Sequence, residues 1–309
     1  FLGRVSAYIK TCRPDIFLAG ANHVNLGACI ARKMAGRDTP TRLFLRFSNH
    51  LSSQKVKFPI TRRLLIAALQ FFANEADGVI SVSEDIAQDL RETLPNTSRD
   101  IHVLPNPIIT DQLKSSLGAG ADLHPWFRQK DVPVILAVGR LHPQKDFHTL
   151  IRAFARLRKK REAKLVIYGD GPLRHSLNNL VHKLDLEKHV DMPGINAEPW
   201  ACMKCAALTV LSSRWEGMPG VLIEAMAMGC PVLSTDCPGG SREILQDGKY
   251  GPLVPVGDDL AMAEALLRLL DHPTDRQAIT EAVSRFDARQ AAKEYLACFE
   301  AGKASSISS

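Results

Sequence analysis

Two carboxylates eight positions apart, Glu216 and Glu224, lie in a segment that could hold a phosphorylated, polyhydroxylated ligand. The segment predicts a loop and then a helix whose first residue is Pro219, because proline has no N–H to leave unpaired there. Gly220 and Val221 would then offer free N–H groups at the positive end of the helix, which suits a phosphate between the two glutamates. The same residues could also form an acidic helix start that is stabilised by its own dipole, and spacing alone does not separate the two interpretations.

A second candidate segment for anion binding follows the apolar run at residues 134–138. Ligands of open α/β sheets bind beyond the carboxyl ends of the strands, so this position suits a binding loop. Gly139 lets the backbone turn closely, and Arg140 and Lys145 could place two cations on one phosphate, the arginine as a fork and the lysine as a point charge. Taken alone, the segment could also be a loop with two exposed bases.

Two glycine-rich turns follow other apolar runs. The sequence Gly-Asp-Gly-Pro at residues 169–172 permits a tight turn from a strand into a helix, and we favour a structural role for it over contact with a ligand. The consecutive glycines in residues 237–241 leave backbone N–H groups uncovered, and Ser241 can cap the next helix. This second turn is a candidate wall for the polar end of a substrate.

The framework that positions these residues is predicted to be parallel α/β, because short apolar runs alternate with helical patterns. We expect strands at residues 16–19, 43–45, 78–82 and 101–104, and then at 134–138, 164–168, 189–192, 207–211, 231–234 and 252–254. The expected organisation is a first domain at 1–112, a linker at 113–131, a second domain at 132–286, a final helix at 287–300 and a disordered tail at 301–309. Doubly wound domains often have about six strands, so we expect the first domain to be truncated at its amino end.

Composition indicates an ordinary soluble globular protein, with 45% hydrophobic and 23% charged residues among 309. No apolar run approaches the roughly 18 residues that span a bilayer. The seven cysteines are scattered and odd in number, which fits a reducing cytosol. Cys202 and Cys205 form a C-x-x-C, but no second pair of ligands follows at zinc-site spacing, so we expect no metal there.

Charge is unevenly distributed along the chain. Residues 1–70 hold twelve Lys or Arg and two acids, a balance of +10, whereas the whole chain carries +6. A basic first domain indicates an anionic partner, and a solvated basic surface is the alternative. No nucleic-acid fingerprint is present, so we expect no nucleic-acid partner and favour an anionic membrane surface or a phosphorylated substrate.

Taken together, these motifs resemble the family-4 retaining glycosyltransferases, whose GT-B fold has two facing Rossmann-like domains. The resemblance covers nearly all of residues 132–300 and, more loosely, residues 14–110. The residues that carry it are Gly139, Arg140 and Lys145, the Gly-Asp-Gly-Pro run at 169–172, the pair Glu216 and Glu224, and Pro238, Gly239, Gly240 and Glu243.

The resemblance implies a donor site for a nucleoside-diphosphate sugar in the second domain. Beside Gly139, Arg140 and Lys145 would bind the diphosphate, and the amides of Gly220 and Val221 would cap its phosphates. Negative charge develops on these oxygens as the glycosidic bond breaks, and fixed cations and helix amides stabilise it. The resemblance therefore implies a reaction without a metal or a cofactor.

The resemblance also implies separate roles for the two glutamates. Glu224 would hold the ribose hydroxyls, and Glu216 would contact the transferred sugar as the catalytic carboxylate. Because the family retains the anomeric configuration, the acceptor would attack from the same face through an oxocarbenium-like state. Glu216 would then act electrostatically and by positioning.

In the first domain, His23 follows the first expected strand, near the place of a catalytic or sugar-contacting histidine in the family. A neutral histidine could hydrogen-bond a sugar hydroxyl, and a local structural role is the alternative. Asn25, Arg46 and Asn49, with the adjacent His50, are candidates for the acceptor side.

The expected activity is transfer of a hexosyl or N-acetylhexosaminyl group from a UDP-linked donor to a lipid-linked or polysaccharide acceptor, in lipopolysaccharide or other surface-glycan synthesis. The expected location is the cytoplasm, with peripheral attachment at the inner face of the membrane. Two alternatives stay open: a sugar-nucleotide-binding module without turnover, and a GT-B sugar-nucleotide epimerase.

Overall fold

The computed structural model describes residues 2–36, 38–52, 59–97, 99–115, 123–128 and 131–304, without the side chains of residues 23, 59–62 and 302–304. These residues form two compact units. The first comprises residues 1–106 and 291–309, and the second comprises residues 107–290.

Helices and strands alternate through most of the chain. The elements up to residue 128 are α1 (Leu2–Cys12), β1 (Ile16–Ala19), α2 (Asn22–Ala35), β2 (Arg42–Phe47), α3 (Pro59–Ala73), β3 (Gly78–Ser81), α4 (Glu84–Thr93), β4 (Ile101–Val103), α5 (Asp111–Ser115) and α6 (Pro125–Arg128). The later elements are β5 (Val134–Val138), α7 (Phe147–Arg158), β6 (Lys164–Tyr168), α8 (Arg174–Lys183), β7 (Val190–Gly194), α9 (Trp200–Cys205), β8 (Leu208–Leu211), α10 (Gly220–Ala227), β9 (Val232–Thr235), α11 (Ser241–Ile244), β10 (Leu253–Val254), α12 (Asp259–Asp271), α13 (Arg276–Ala282) and α14 (Ala288–Ala304).

The first unit is built on a parallel sheet in the order β1-β2-β3-β4. Its core includes Phe44 on β2, whose ring packs edge-on against Phe299 of α14 at 4.8 Å between centroids. Gly78 makes room for that ring, since a Cβ there would lie 2.7 Å from Phe44. The final helix is therefore part of the core of this unit.

The second unit has a six-stranded parallel sheet in the order β10-β9-β8-β5-β6-β7. The chain winds from β5 outward to β7, returns to place β8 beside β5, and then winds outward in the other direction. In such sheets the crevice beyond the carboxyl ends of the two central strands is the usual ligand position. Here those central strands are β5 and β8.

The predicted α/β class with two Rossmann-like units is confirmed, and each expected strand is present to within two residues. The division of the chain differs from the expected one. Residues 107–115 belong to the second unit, where the N–H groups of Ile108 and Ile109 donate to the carbonyl of Phe286 at 3.3 and 3.0 Å. Residues 291–304 belong to the first unit because α14 packs on its sheet.

The final helix also extends further than composition predicted. It continues through Ala304, four residues into the segment expected to be a disordered tail, so the helix end was placed too early. Residues 305–309 lie outside the described residues. Within the described part of the chain, no helix has the length and apolar character needed to cross a bilayer.

Candidate active site

The loops that follow β5 and β8 are tied together at the centre of the second sheet. The N–H of Arg214 donates to the carbonyl of Gln144 at 2.7 Å, and the Gln144 side chain donates to the carbonyl of Trp215 at 2.9 Å. The hydroxyl of Ser212 donates to the carbonyl of Lys145 at 2.7 Å. These bonds fix the two loops as one surface at the position where ligands bind in this class of sheet.

An ion pair joins the side chains of the same two loops. Nζ of Lys145 lies 2.6 Å from Oε1 of Glu216, and the hydroxyl of Ser213 donates to the same oxygen at 2.5 Å. The side chains of Lys145 and Glu216 are only 18% and 8% exposed. Oε2 of Glu216 accepts no hydrogen bond from the residues that the structure describes, so one carboxylate oxygen stays available to a ligand. The sequence predicted separate roles for the two residues but not their contact.

Gly139 lies beneath the side chain of Lys145. A Cβ on Gly139 would stand 3.1 Å from Cε and 3.3 Å from Cδ of the lysine. The N–H of Gly139 donates to the carbonyl of Tyr168 at 2.9 Å. Sequence reasoning predicted a close turn at Gly139. The structure shows why a glycine suits this position: the aliphatic part of the Lys145 side chain passes directly over the backbone there.

Arg140 is exposed at the start of the same loop. Its backbone carbonyl accepts from His142 at 2.7 Å. Its guanidinium has no hydrogen-bond or ion-pair partner among residues 2–36, 38–52, 59–97, 99–115, 123–128 and 131–304. The five N–H donors of this side chain are open to an anion.

Helix α10 begins one residue later than predicted. Pro219 has an extended ψ of 95° and is the N-cap, so the expectation that it is the first helical residue was wrong. Gly220 and Val221 then form the first turn, where backbone N–H groups have no acceptor within the helix. The predicted pair of amides is therefore in place at the positive end of α10.

The carboxylate of Glu224 lies over this first turn. Helical side chains lean toward the N-terminus, and Oε1 of Glu224 is 3.9 Å from the point where a Cβ of Gly220 would stand. Burial raises the pKa of Glu224, because desolvation disfavours the carboxylate, and the indole of Trp200 acts in the opposite direction. Glu224 thus combines partial burial with a place beside the helix amides.

The glycine-rich turns allow backbone segments to approach closely. Gly169 has φ +149°, and a Cβ there would lie 1.9 Å from the carbonyl oxygen of Gly139. The N–H of Leu141 donates to the carbonyl of Asp170 at 2.9 Å in the same contact. These contacts support a structural role for the turn at residues 169–172, and the expectation that it does not contact a ligand stays a prediction. Gly239, with φ +119°, lies likewise against the backbone of Glu216, while contact between its turn and a substrate stays a prediction.

Asp146 is a site residue that sequence reasoning missed. It is 5% exposed and adopts a left-handed backbone with φ +45°. Its Oδ2 accepts from Nε of Arg214 at 3.1 Å and from the hydroxyl of Thr149 at 3.0 Å. An acid directly after Lys145, at the start of an apolar-periodic helix, was the available signal. Asp146 thereby adds a side-chain link between the loops after β5 and β8.

In the first unit, the backbone of His23 lies in the first turn of α2, and its side chain lies outside the described residues. Asn25 is fully buried, and its Nδ2 donates to the carbonyl of Arg46 at 3.1 Å. The helix is thereby tied to the end of β2. The acceptor-side role of Asn25 and the catalytic role of His23 stay predictions.

Arg46 connects three segments within the first unit. Its guanidinium donates to the hydroxyl of Tyr295 at 3.1 Å, to the carbonyl of Gly20 at 3.3 Å and to the side chain of Asn106. These contacts join β2 to α14 and to the segment after β4. The structure therefore gives Arg46 a structural role, and an additional contact with an acceptor stays a prediction.

Asn49 and His50 follow β2. Asn49 is exposed, and its carbonyl accepts from Nδ2 of Asn22 at 2.8 Å. Nε2 of His50 lies 2.9 Å from Oδ2 of Asp85, and this hydrogen bond raises the pKa of His50.

Among the described residues, no cluster of three or more His, Cys, Asp or Glu side chains could hold a metal ion, and the metal-independent reaction stays a prediction.

Comparison with known proteins identifies the family. The model of the glycosyl transferases group 1 matches residues 122–286, more than half of the chain, and the model of Glycosyltransferase Family 4 matches residues 1–112. The uncharacterized glycosyltransferase MJ1059 of Methanocaldococcus jannaschii is 29% identical over 248 residues, which cover 78% of this chain and 60% of that protein. The N-acetylgalactosamine-N,N'-diacetylbacillosaminyl-diphospho-undecaprenol 4-alpha-N-acetylgalactosaminyltransferase of Campylobacter jejuni is 30% identical over 282 residues, which cover 88% of this chain and 72% of that protein.

The fold is shared with solved glycosyltransferase structures. The crystal structure of HepE from Anabaena in complex with UDP matches with a TM-score of 0.77 and 20% identity, over 97% of this chain and 82% of that chain. This likeness shows the fold alone. The chain spans 60% of the length of the archaeal relative. From the two family matches, the protein belongs to the group 1 glycosyl transferases, with a Glycosyltransferase Family 4 region in its first part.

Proposed function

We propose that this protein transfers a glycosyl group from a UDP-linked sugar to a lipid-linked or polysaccharide acceptor, with retention of anomeric configuration and without a metal. The observation that carries the proposal is the pair of Lys145 and Glu216, held 2.6 Å apart at the centre of the second sheet. A cation for the phosphates and a carboxylate for the sugar stand together there. HepE, which shares the fold, holds UDP, and the Campylobacter relative uses a diphospho-undecaprenol-linked glycan.

The phosphate end of the donor would be held by cations and amides. Arg140 has an open guanidinium, Lys145 is fixed by its partner carboxylate, and Gly220 and Val221 open α10. When the bond to the sugar breaks, negative charge builds up on the leaving diphosphate. Groups that are already oriented toward it stabilise this charge without reorganisation, which is the role that a divalent metal takes in other enzymes.

The nucleoside end would be held by Glu224. Its carboxylate leans over the first turn of α10 and is partly buried. A carboxylate accepts hydrogen bonds through two oxygens, and the two hydroxyls of a ribose present matching donors. This arrangement distinguishes a ribonucleotide from an isolated diphosphate.

The sugar end would be addressed by Glu216. Lys145 and Ser213 occupy Oε1, so Oε2 would face the transferred sugar. A carboxylate anchored in this way stabilises positive charge on the anomeric carbon as an oxocarbenium-like state forms. The acceptor hydroxyl then attacks from the face that the diphosphate leaves, its oxygen bonds to the anomeric carbon, and its proton passes to an oxygen of the departing diphosphate.

The acceptor would be presented at an anionic lipid surface on the cytoplasmic side of the membrane. Helix α3 carries Leu64 and Phe71 on one face, 65% and 68% exposed, with exposed Arg63 beside them. Nζ of Lys33 lies 5.4 Å from the ring of Phe71. An apolar face bordered by cations suits the headgroup region of a bilayer, where each basic residue contributes about 1 kcal/mol. Lys55 and Lys57, which contribute to the basic charge of residues 1–70, lie outside the described residues.

The test is a donor panel with the full chain. UDP and UDP-sugars would be titrated by calorimetry, and sugar transfer and donor hydrolysis would be followed with a diphosphate-linked polyprenyl glycan as acceptor. We expect UDP-sugar binding and turnover, a loss of at least tenfold in Lys145→Ala and Glu224→Ala, and no change in Lys183→Ala. Lys183 is an exposed cation at the end of α8 and serves as the matched control.

The other outcomes distinguish the alternatives. Binding without turnover indicates a sugar-nucleotide-binding module, and conversion of the donor into an epimer, with exchange of a carbon-bound hydrogen, indicates an epimerase. Losses of only a few-fold in both alanine variants would contradict the residue assignments even if transfer is observed.

A further inference from the structure

Trp200, the first residue of α9, has an indole N–H with an unusual environment. The Nε1 atom is buried, yet it has no hydrogen-bond partner of acceptable geometry among the described residues. An indole can only donate, so it cannot be satisfied by another donor. A buried donor without an acceptor is costly, so a neighbouring acceptor that is brought into line with the indole would be stabilised there.

The carboxylate of Glu224 is the acceptor within reach. Helices α9 and α10 pack against each other, and the Trp200 indole favours the ionised form of Glu224 against the effect of burial. The two groups therefore lie close enough to interact electrostatically, although they are not aligned as a hydrogen bond. Contacts of catalytic groups are often long or poorly aligned without substrate and tighten when the ligand binds.

We propose that Trp200 is a positioning residue, whose indole N–H donates to one oxygen of the Glu224 carboxylate and holds the carboxylate toward the ribose hydroxyls of the donor. This inference rests on the proposed function. One oxygen is oriented by the indole, and the ribose engages the carboxylate from the solvent side. Ligand binding then tightens a contact that already favours the ionised carboxylate in the ligand-free protein.

The same contact keeps the Glu224 carboxylate ionised and able to accept hydrogen bonds from the ribose. A carboxyl group that takes up a proton loses acceptor capacity and repels one of the two ribose donors. Burial favours that protonation, and the indole N–H opposes it. Without the N–H, we expect weaker donor binding. As the pH is lowered, we also expect binding to be lost at a higher pH than in the wild type.

The variant that isolates the N–H is Trp200→Phe, which keeps an aromatic ring in the same space. The matched control is Trp126→Phe, since Trp126 lies on α6 and its ring contacts Lys164 instead. UDP affinity of the full chain would be measured by calorimetry from about pH 5 to pH 8.5. We expect Trp200→Phe to weaken UDP binding about tenfold at pH 7.5 and to shift the acid limb of the binding profile to higher pH. The control keeps the affinity and the profile of the wild type.

A purely structural role gives a different result. If Trp200→Phe lowers affinity by the same factor at every pH, or leaves it unchanged, the inference is wrong. In a Glu224→Gln background, which cannot titrate, the effect of Trp200→Phe must become independent of pH. A pH-dependent effect that persists in that background would also overturn the inference.

A measurement without ligand separates this inference from the proposed function. The N–H stabilises only the ionised carboxylate, so the loss of unfolding free energy in Trp200→Phe must grow as the pH rises through the titration of Glu224. If the wild type binds no UDP, the proposed function fails, and this stability profile still decides whether Trp200 holds Glu224. A loss of stability that is constant with pH rules the contact out.

Discussion

Nζ of Lys145 and Oε1 of Glu216 are 2.6 Å apart although 71 positions of sequence separate the residues. One residue follows β5 and the other follows β8, the two central strands of the second sheet. The pair couples the cation proposed for the phosphates to the carboxylate proposed for the sugar. The two proposed groups therefore stand side by side, one for each end of the reacting bond.

The substitution Glu216→Gln separates the charge of this residue from its hydrogen bonds. Glutamine keeps an oxygen that accepts from Lys145 and Ser213, so the loops should hold their places. We expect sugar transfer to fall about 100-fold, because the charge that stabilises the developing cation is gone, while UDP affinity changes less than about threefold. Initial rates and calorimetry measure the two quantities. Equal losses in rate and UDP affinity would show that Glu216 acts on the nucleotide instead.

The substitution Gly139→Ala tests whether the Lys145 side chain needs a residue without a Cβ beneath it. The added methyl group would stand 3.1 Å from Cε of Lys145, so the side chain must move by a few tenths of an ångström. We expect UDP affinity to fall about three- to tenfold, with a loss of unfolding free energy below about 1 kcal/mol. Gly3→Ala in α1 is the control, because the new methyl group meets no atom of the described residues beyond its own helix within 4 Å. It should leave UDP affinity unchanged and raise the unfolding free energy by at most about 1 kcal/mol. Unaltered UDP affinity in Gly139→Ala would show that Lys145 does not bind the phosphates.

The substitution Gly169→Ala tests the close backbone contact. The new Cβ would lie 1.9 Å from the carbonyl oxygen of Gly139, at φ +149°. We expect a loss of more than about 3 kcal/mol in unfolding free energy, or failure to fold, because backbone on both sides must move. Gly194→Ala has φ +106°, but beyond the adjacent residues its new methyl group meets no atom of the described part of the chain within 4 Å, so it should cost only about 1–2 kcal/mol of backbone strain. Urea unfolding measures both, and equal losses would show that the contact with Gly139 is unimportant.

The ion pair of His50 and Asp85 gives the first unit a pH-dependent stability. The hydrogen bond to Asp85 raises the pKa of His50 above 6.5, so the folded state binds the proton more tightly than the unfolded state. This stabilisation is fully present below the unfolded pKa and is lost as pH rises through the folded pKa. We expect Asp85→Asn to be destabilised relative to the wild type at about pH 5.5 and much less so at about pH 8.5, by urea unfolding.

The control for that pair is Glu84→Gln, which removes an exposed carboxylate that pairs with Arg91 at 2.7 Å. This pair contains no histidine, the side chain whose ordinary pKa lies in this pH range, so the cost of this substitution should vary much less with pH. A constant cost for Asp85→Asn as well would mean that His50 does not titrate against Asp85.

Much of the fold could be predicted because the strands are short apolar runs with helical patterns between them. The candidate site could be located for the same reason, since Gly139 follows β5 and Glu216 follows β8, at the central carboxyl ends of the sheet. These are local properties of the chain. The family resemblance added roles for individual residues, and the family matches confirm the resemblance itself.

Contacts between distant segments could not be predicted. The bond of Arg46 to Tyr295 depends on the return of α14 to the first sheet, and the sequence does not show which strand that helix covers. Gly169 was recognised as a turn residue, but its partner, the carbonyl of Gly139, lies on another strand's loop. Pro219 was placed one position too far into its helix, because proline is frequent at the first helical residue and its extended ψ is set by the loop before it.

Main-chain contacts link the loops after β5, β6, β8 and β9, and this has a consequence for engineering and for natural recombination. Leu141 and Asp170 are joined through their backbones, as are Glu216 and Pro238, so none of the four loops can be replaced without disturbing a neighbour. A chimera whose crossover falls between residues 146 and 212 would take the loop after β5 from one parent and the loop after β8 from the other. The contacts between these two loops would then be disturbed. Donor preference should instead be altered through side chains on an intact loop set, or by exchanging residues 139–241 as a block.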